Sequence, residues 1–350
     1  MIALLVCAAG YSYALPPHHS DDGYKNPFLD EQFTRSRFFT YVQMRFFGNQ
    51  EFSEYEGNSH RVPQVTPARD IIDSPDPSRL QITWLGHSTT MLQYRGVTIL
   101  TDPILSERAS PVSFAGPKRF TPPALRADQL PAVDYVVISH NHYDHLDQDT
   151  VRALGNRVKW LVPMSLKQWF VDNGVDNTEE LDWGQSSAFD GVKFTATPSQ
   201  HFSGRTLWDY AQTLWCSWVI EIGDKKIWFG GDTGYNAVQF KRIGKDYGPF
   251  DLGLIPIGAF EPRWFMSPMH VDPSEAVSIH HEIGARTSIG IHWGTFRLSA
   301  EPIDAPMLML RRAAAKANAS FTTLAIGETR GILPSPSDSS TVSIRTERYD

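Results

Sequence analysis

Short apolar runs alternate with polar or glycine-rich turns from residue 80 onward. β-branched and aromatic runs of this length, bounded by turn residues, predict strands, whereas apolar positions recurring every three or four residues predict helices. Strands are predicted at 80–85, 97–100, 133–138, 160–162, 192–197, 216–222, 226–229, 252–257 and 288–291, and helices at 149–154, 273–284 and 305–317. Because strands dominate first and then alternate with helices, the pattern predicts an α/β fold of two sheets with helices outside them.

The segments that flank this region differ from it in amino-acid composition. Residues 15–78 are rich in Pro, Asp and aromatics, and they predict an N-terminal extension that packs on a main domain at 79–333. Within the extension, 33–47 has apolar residues at a spacing of four with arginines between them, which predicts an amphipathic helix. That helix either packs on the domain or rests on a membrane surface. Residues 334–350 are rich in Ser and Pro and predict a flexible tail.

The composition narrows the classes of partner and location. A net charge of -7 argues against nucleic acid, which usually requires a basic face. Residues 2–9 are apolar and precede Ser12-Tyr13-Ala14, which predicts a signal peptide over 1–14. The predicted location is therefore the cell envelope or periplasm, in contact with a membrane, with the cytoplasm as the alternative. Cys7 and Cys216 are the only cysteines, so no disulfide framework is predicted.

The strongest chemical signal is the string His140-Asn141-His142-Tyr143-Asp144-His145, directly after the predicted strand 133–138. Neutral imidazoles and carboxylates are ligands for zinc and related metals. Three histidines and one aspartate within six residues exceed what a single catalytic zinc usually takes from one loop. The string therefore predicts two metal ions, although iron or manganese would suit the same ligands.

Further ligands are predicted where later strands end. The runs 192–197, 226–229 and 288–291 lead to His201, Asp232 and His292, respectively. Loops at one edge of a sheet commonly gather such side chains into one site. These three residues complete a predicted set of seven metal ligands: His140, His142, Asp144, His145, His201, Asp232 and His292.

This order of residues resembles the metallo-β-lactamase superfamily. The resemblance implies a four-layer αβ/βα sandwich with two Zn²⁺ ions per chain. It assigns His140, His142 and His201 to one ion, Asp144, His145 and His292 to the other, and Asp232 to both.

The chain is also similar to a narrower family, the N-acylphosphatidylethanolamine (NAPE)-hydrolysing phospholipases D. The similar segments are WLGHST at 84–89, TDPI at 101–104, HNHYDHLD at 140–147, EPRWFM at 261–266, MHVDP at 269–273 and IHWGTF at 291–296. The resemblance implies a phospholipid substrate and peripheral contact with a membrane, and it leaves a homodimer open. Met269 departs from the polar Gln expected in the animal enzymes.

The implied activity is hydrolysis of NAPE to phosphatidate and N-acylethanolamine, through attack by water held between the two ions. Asp232, Asp147 and His270 are the predicted catalytic residues, with His270 on the phosphate or acting as general acid. Asp102 and Asp147 are predicted to orient ligand histidines, and His87 either does the same or closes a turn. Arg263 either pairs with phosphate or packs on Trp264.

Two alternatives follow from the same residues. One is a metal-dependent lactonase or hydrolase of a soluble phosphorylated substrate, which would require a polar pocket. The other is a non-catalytic surface protein whose zinc is structural, although structural zinc usually has four ligands that include Cys.

Overall fold

The computed structural model describes residues 16–29, 39–40, 43–44, 47 and 51–332. The predicted leader, the predicted tail and most of the predicted helix at 33–47 lie outside the described residues. None of the helices in the described parts of the chain is both long enough and apolar enough to cross a bilayer.

The nine predicted strands and the three helices predicted after residue 80 are all present, and the described residues form seven strands and four helices that the pattern did not predict. The strands are β1 His19–Ser20, β2 Gly23–Tyr24, β3 Gln81–Gly86, β4 Thr89–Tyr94, β5 Val97–Thr101, β6 Tyr135–Val137, β7 Lys159–Pro163, β8 Thr178–Leu181, β9 Ser186–Phe189, β10 Val192–Thr197, β11 Ser217–Ile222, β12 Lys225–Phe229, β13 Phe250–Pro256, β14 Ala285–Ile291, β15 Phe321–Thr322 and β16 Thr329–Gly331. The helices are α1 Arg69–Asp73, α2 Gln148–Leu154, α3 Lys167–Asp172, α4 Gln239–Tyr247, α5 Arg263–Met266, α6 Pro273–Glu282 and α7 Ala305–Ala317. Short 3₁₀ turns are Ser59–Arg61, Ala127–Gln129 and Gly155–Arg157.

Two seven-stranded mixed sheets form the centre of the fold. One has the order β16-β3-β4-β5-β6-β7-β8, and the other has the order β15-β14-β13-β12-β11-β10-β9. In each sheet the pairs at one end are antiparallel and the pairs from β5 to β8, or from β12 to β15, are parallel. The predicted α/β sandwich is therefore confirmed.

Alternating side chains of the strands supply two apolar layers. In β6, Tyr135 and Val137 belong to the large core between the sheets, whereas Val136 packs in the layer beneath the helices. This alternation is the period of two expected for a strand buried on both faces. The large core includes the buried indoles of Trp84, Trp218 and Trp228. The Trp218 Nε1–H also donates to the carbonyl of Ile138, so it joins the second sheet to the start of the histidine loop.

Hydrogen bonds hold the N-terminal segment against Asp182, directly after β8, and this contact is called the clamp. The Nε2 atoms of His18 and His19 lie 2.6 and 2.8 Å from different oxygens of Asp182. The His18 ring stacks on Trp183 with centroids 4.2 Å apart. Further along the segment, the Asn26 amide donates to the carbonyl of His201 at 2.8 Å. The Asn26 bond therefore connects the segment to the loop that carries His201, a predicted metal ligand.

Asp182→Asn should lower the free energy of unfolding at pH 7 by about 1–3 kcal/mol, because the amide keeps one acceptor but loses the charge that two imidazoles share. The bonds to His18 and His19 outweigh burial and hold the Asp182 pKa below its ordinary value of 3.8. The charged carboxylate therefore stabilises the fold above pH 3.8, and this stabilisation is lost as the pH falls through the lowered pKa. Urea unfolding at several pH values would check both effects. A variant as stable as the wild type at pH 7 would contradict the clamp.

Candidate metal centre

All seven predicted ligands converge where strands end at one edge of the two sheets. β6 leads to the 140–145 loop, and β10, β12 and β14 lead to His201, Asp232 and His292. Gly231 has a φ of 58°, and a Cβ atom at this position would lie 2.5 Å from the Cβ of Ser139. A side chain there would separate the Asp232 loop from the histidine loop, so the glycine is required by the close approach.

Three histidines form the first group of the centre. His140 Nε2 lies 2.8 Å from His142 Nδ1, and His201 Nε2 lies 3.3 Å from the same atom. The other nitrogen of the His201 ring, Nδ1, lies 3.0 Å from the carbonyl of Met269, which fixes the direction of the ring. Three ring nitrogens are therefore directed to one point from two separate loops.

The second group contains Asp144, His145 and His292, and it also includes His87. Asp144 Oδ2 lies 3.3 Å from His145 Nε2 and 3.4 Å from His292 Nε2. His87 Nε2 lies 3.0 Å from the same oxygen.

Asp232 lies between the two groups. Its Oδ2 atom is 3.1 Å from His292 Nε2 and 3.2 Å from His145 Nε2. The same oxygen is 3.7 Å from His201 Nε2 and 4.0 Å from His140 Nε2. One carboxylate oxygen thus faces nitrogens of both groups.

The donor set fits divalent cations. The Nε2 atoms of His145 and His292 and the Oδ1 atom of Asp232 are buried and make no hydrogen bond to any residue of the described chain. The two nitrogens are near Asp232 but are not aligned for an N–H···O bond. Buried polar atoms are nearly always satisfied, so this concentration of unsatisfied lone pairs indicates ligands that surround an ion.

The electrostatics of the centre also favour positive charge. Burial by itself lowers the pKa of His145, but the Asp232, Asp144 and Asp102 carboxylates together raise that pKa well above 6.5. Burial likewise opposes the charge on His292, yet Asp232 and Asp144 raise its pKa to about 9. A divalent cation would supply the charge that the carboxylates attract here.

The first group has the opposite tendency. Burial lowers the pKa of His142 to about 4 and that of His201 to about 3, despite the opposing charge of nearby carboxylates. Burial and the neighbouring histidines lower the pKa of His140 well below 6.5. These imidazoles are neutral at physiological pH, which is the form that binds a metal.

Asp102 orients histidines of both groups, in the manner predicted for it. Its Oδ2 atom lies 2.6 Å from His145 Nδ1 and accepts the Ser139 hydroxyl at 2.5 Å. Ser139 Oγ is in turn 2.9 Å from His140 Nδ1. Asp102 is fully buried at the end of β5.

The structure of His87 fits both predicted roles, closing a turn and contacting the ligand residues. It has a φ of 53° in the turn between β3 and β4, and its carbonyl accepts the Trp84 Nε1–H. Its ring meets Asp144 through Nε2 and lies 4.3 Å from the His292 ring, centroid to centroid. Its side chain is thus held against the second group while its backbone closes the turn.

Asp147 and Arg263 are not among the converging side chains. Asp147 caps α2 by accepting from Asp149 N, and its carboxylate also accepts from the amides of Leu105 and Ser106. Arg263 donates to Glu275 at 2.8 Å and to the carbonyl of His270 at 2.9 Å. Arg263 therefore supports the backbone of His270, and the catalytic role of Asp147 stays a prediction.

His270 lies beside the centre. Its Nδ1 atom is 3.9 Å from Asp232 Oδ2, and its ring is stacked on His292 with centroids 5.3 Å apart. The preceding residue, Met269, is buried in an apolar cluster with Met44, Ala259, Phe265 and Met266, and Leu29, Phe52, Phe202, Tyr210 and Leu298 pack against it. Phe202 brings this cluster within 4.7 Å of the His142 ring, measured between centroids.

The sequence analysis did not identify Ser139 or Arg205, although both contact the ligand loop. The Ser139 hydroxyl donates to Asp102 and lies within hydrogen-bond distance of His140 Nδ1. Arg205 donates to the carbonyls of Asn141 and Leu146, near the two ends of the loop. Each lies close in sequence to a ligand: Ser139 precedes His140, and Arg205 follows His201 by four residues. That proximity is the only signal the sequence contains, because the contacts depend on how two distant loops meet.

Comparisons with known proteins agree with this arrangement. The model of the β-lactamase superfamily domain matches residues 97–293. The NAPE-hydrolysing phospholipase D 1 of Caenorhabditis elegans is 43% identical over 273 residues, which cover 73% of this chain and 77% of the worm protein. The mitochondrial protein of the same family name from Saccharomyces cerevisiae is 37% identical over 63% of this chain, and the match covers 48% of the yeast protein.

The chain belongs to the NAPE-hydrolysing phospholipase D family of the metallo-β-lactamase superfamily. The recognised family and the prediction of a phospholipase D-like, metal-dependent hydrolase are thereby confirmed. A solved metallo hydrolase from Ignicoccus hospitalis has the same fold, with a TM-score of 0.55 at 20% identity, and covers 73% of this chain and 99% of its own.

Asp102→Asn should weaken metal binding by roughly 10- to 100-fold, because the amide cannot accept from both His145 and Ser139 as the carboxylate does. Competition with a chromophoric chelator would measure the affinity. Thr98→Ser, on the same strand β5, is the matched control. Equal affinities of the Asn variant and the wild type would contradict the orienting role of Asp102.

Proposed function

We propose that the chain is a dinuclear zinc phosphodiesterase that hydrolyses NAPE-type phospholipids to phosphatidate and N-acylethanolamine. The observation that supports it most is the Asp232 oxygen within 4.0 Å of nitrogens from both ligand groups. In this proposal His140, His142 and His201 hold one ion, Asp144, His145 and His292 hold the other, and Asp232 contacts both.

When bound, the two cations would supply an activated water nucleophile and stabilise negative charge on the phosphoryl oxygens. The chain's own residues orient the substrate. His270 faces the centre from the side of Asp232, where its ring would donate a hydrogen bond to a phosphoryl oxygen. Arg263 maintains this position by binding the His270 carbonyl and Glu275.

The apolar cluster beside the centre supports a lipid substrate over a soluble one. Phe202 contacts His142 on one side and Tyr210 on the other, and Met269 adjoins His270. A polar phosphorylated sugar would leave the partly exposed rings of Phe202 and Tyr210 without a complementary partner, whereas an acyl chain would bury against them.

A membrane surface is the proposed location of this substrate. Trp264 is 65% exposed, and its ring lies 5.6 Å from that of Phe265, centroid to centroid. Trp208 is 77% exposed and is two residues from Tyr210 in the sequence. Exposed indoles beside an apolar wall suit the interface between lipid headgroups and acyl chains. An envelope or periplasmic location stays a prediction.

Zinc-loaded enzyme should release phosphatidate and N-acylethanolamine in equal amounts from NAPE in mixed micelles, as measured by mass spectrometry. A soluble phosphodiester and a lactone, tested in parallel, should turn over far more slowly. Asp232→Asn should retain the circular dichroism spectrum and lose hydrolysis. Faster turnover of the lactone would favour the soluble-substrate alternative, and unfolding of the Asn variant would favour structural zinc.

His270→Gln should lower kcat by on the order of 10²-fold while leaving the metal content unchanged, because the imidazole contacts the phosphoryl group and not the ions. Metal analysis and kinetics on the same preparation would measure both quantities. The control is His280→Gln, because His280 lies on α6 and its ring is hydrogen-bonded to the Ser288 hydroxyl. A fall in metal content would instead indicate that His270 is a metal ligand, and it would contradict the proposed role.

Trp264→Ser should weaken binding to vesicles of phosphatidylcholine and NAPE, since it removes an exposed aromatic anchor at the proposed membrane surface. Sedimentation with vesicles would measure the loss. Leu308→Ser, on the outer helix α7, removes a comparably apolar exposed side chain and should have little effect. Equal losses for the two variants would contradict a specific docking surface.

A further inference from the structure

Arg205 contacts the ligand loop through the backbone carbonyls of that loop. The Arg205 Nη1 atom donates to the carbonyls of Asn141 and Leu146, each at 2.8 Å. Between these two carbonyls lie His142, Asp144 and His145, which are ligands of both proposed ions. One guanidinium nitrogen therefore fixes the distance between the two ends of the ligand segment.

Aromatic rings hold the guanidinium in place. Its Cζ atom lies 4.0 Å from the centroid of Tyr143 and 5.1 Å from that of Trp169. Tyr143 belongs to the ligand loop, and its hydroxyl donates back to the Arg205 carbonyl at 3.0 Å. The loop and the arginine thus restrain each other through stacking and through hydrogen bonds in both directions.

The segment that carries Arg205 is itself fixed. The Asp209 carboxylate accepts from the amides of Arg205 and Thr206, at 3.0 and 2.7 Å. Gly204 N donates to the Asn141 side chain at 2.7 Å. The arginine therefore does not move freely with the ligand loop, and it anchors the loop to a second rigid turn.

The chemistry of the contact explains why the residue is arginine. Among the described residues, its guanidinium forms no ion pair with a carboxylate within 4.0 Å, so its charge is directed to backbone carbonyls and aromatic faces. A planar guanidinium stacks on rings while donating in its plane, and a lysine ammonium does neither with the same geometry.

We propose that Arg205 is a positioning residue that holds the 140–146 loop in its metal-binding geometry before an ion arrives. The inference rests on the proposed metal site. A loop that is already ordered loses little conformational entropy on binding an ion, so its affinity is higher than that of a loop that must be ordered by the ion. Without Arg205, part of the binding free energy would be used to order the loop.

The test compares Arg205→Lys and Arg205→Gln with Arg108→Gln. Arg108 is the matched control because it also donates to two loop carbonyls, those of Ser113 and Gly116, at 2.9 and 2.7 Å. It lines the same cavity of about 500 Å³ as Arg205, but its loop carries none of the proposed ligands. The measurements are Zn²⁺ affinity by chelator competition and thermal unfolding of the metal-free chain.

Both Arg205 variants should bind Zn²⁺ roughly 10- to 100-fold more weakly than the wild type, with Arg108→Gln within about twofold. Their metal-free melting temperatures should fall below that of the wild type, because the loop loses the contacts that order it before an ion arrives. Wild-type affinity in the Arg205 variants, or a lower melting temperature with unchanged affinity, would overturn the inference. If Arg205→Gln does not fold, the Zn²⁺ affinity of Arg205→Lys decides between these outcomes. A wild-type chain that binds no Zn²⁺ would instead reject the proposed function.

Discussion

The buried charge of Asp232 is the constraint on which the centre depends. A carboxylate removed from water is costly unless cations or hydrogen bonds compensate it. Here one of its oxygens makes no hydrogen bond to the described chain, and the other faces imidazoles of both groups. Burial lowers the pKa of each of the first three histidines, which favours their neutral form. A bound divalent cation would satisfy the atoms that the protein leaves unpaired here.

The fold meets this constraint by ending several strands at one edge. β6, β10, β12 and β14 are held in register by apolar layers, so the loops that follow them meet at that edge. Support then comes from outside the loops. Asp102 and Ser139 orient rings from one strand end, and Arg205 holds the loop from a neighbouring turn. Metal sites commonly depend on such outer contacts for the direction of their ligands.

Much of this could be predicted from sequence because the signals are local. The histidine string and the strand ends before His201, Asp232 and His292 follow from short patterns, as do most strands of both sheets. β4 was missed because its Thr-rich start is less apolar than its neighbours, although all six residues are buried. α4 was missed because its apolar positions are few. The clamp of Asp182 on His18 and His19, and the contacts of Arg205, join segments that the sequence does not bring together.

The most direct test of the account is the anomalous diffraction of zinc-loaded crystals, recorded at energies above and below the zinc edge. The account predicts two peaks of similar height on either side of the Asp232 carboxylate, one beside His140, His142 and His201 and the other beside Asp144, His145 and His292. A single peak, or peaks that Asp232 does not contact, would contradict it.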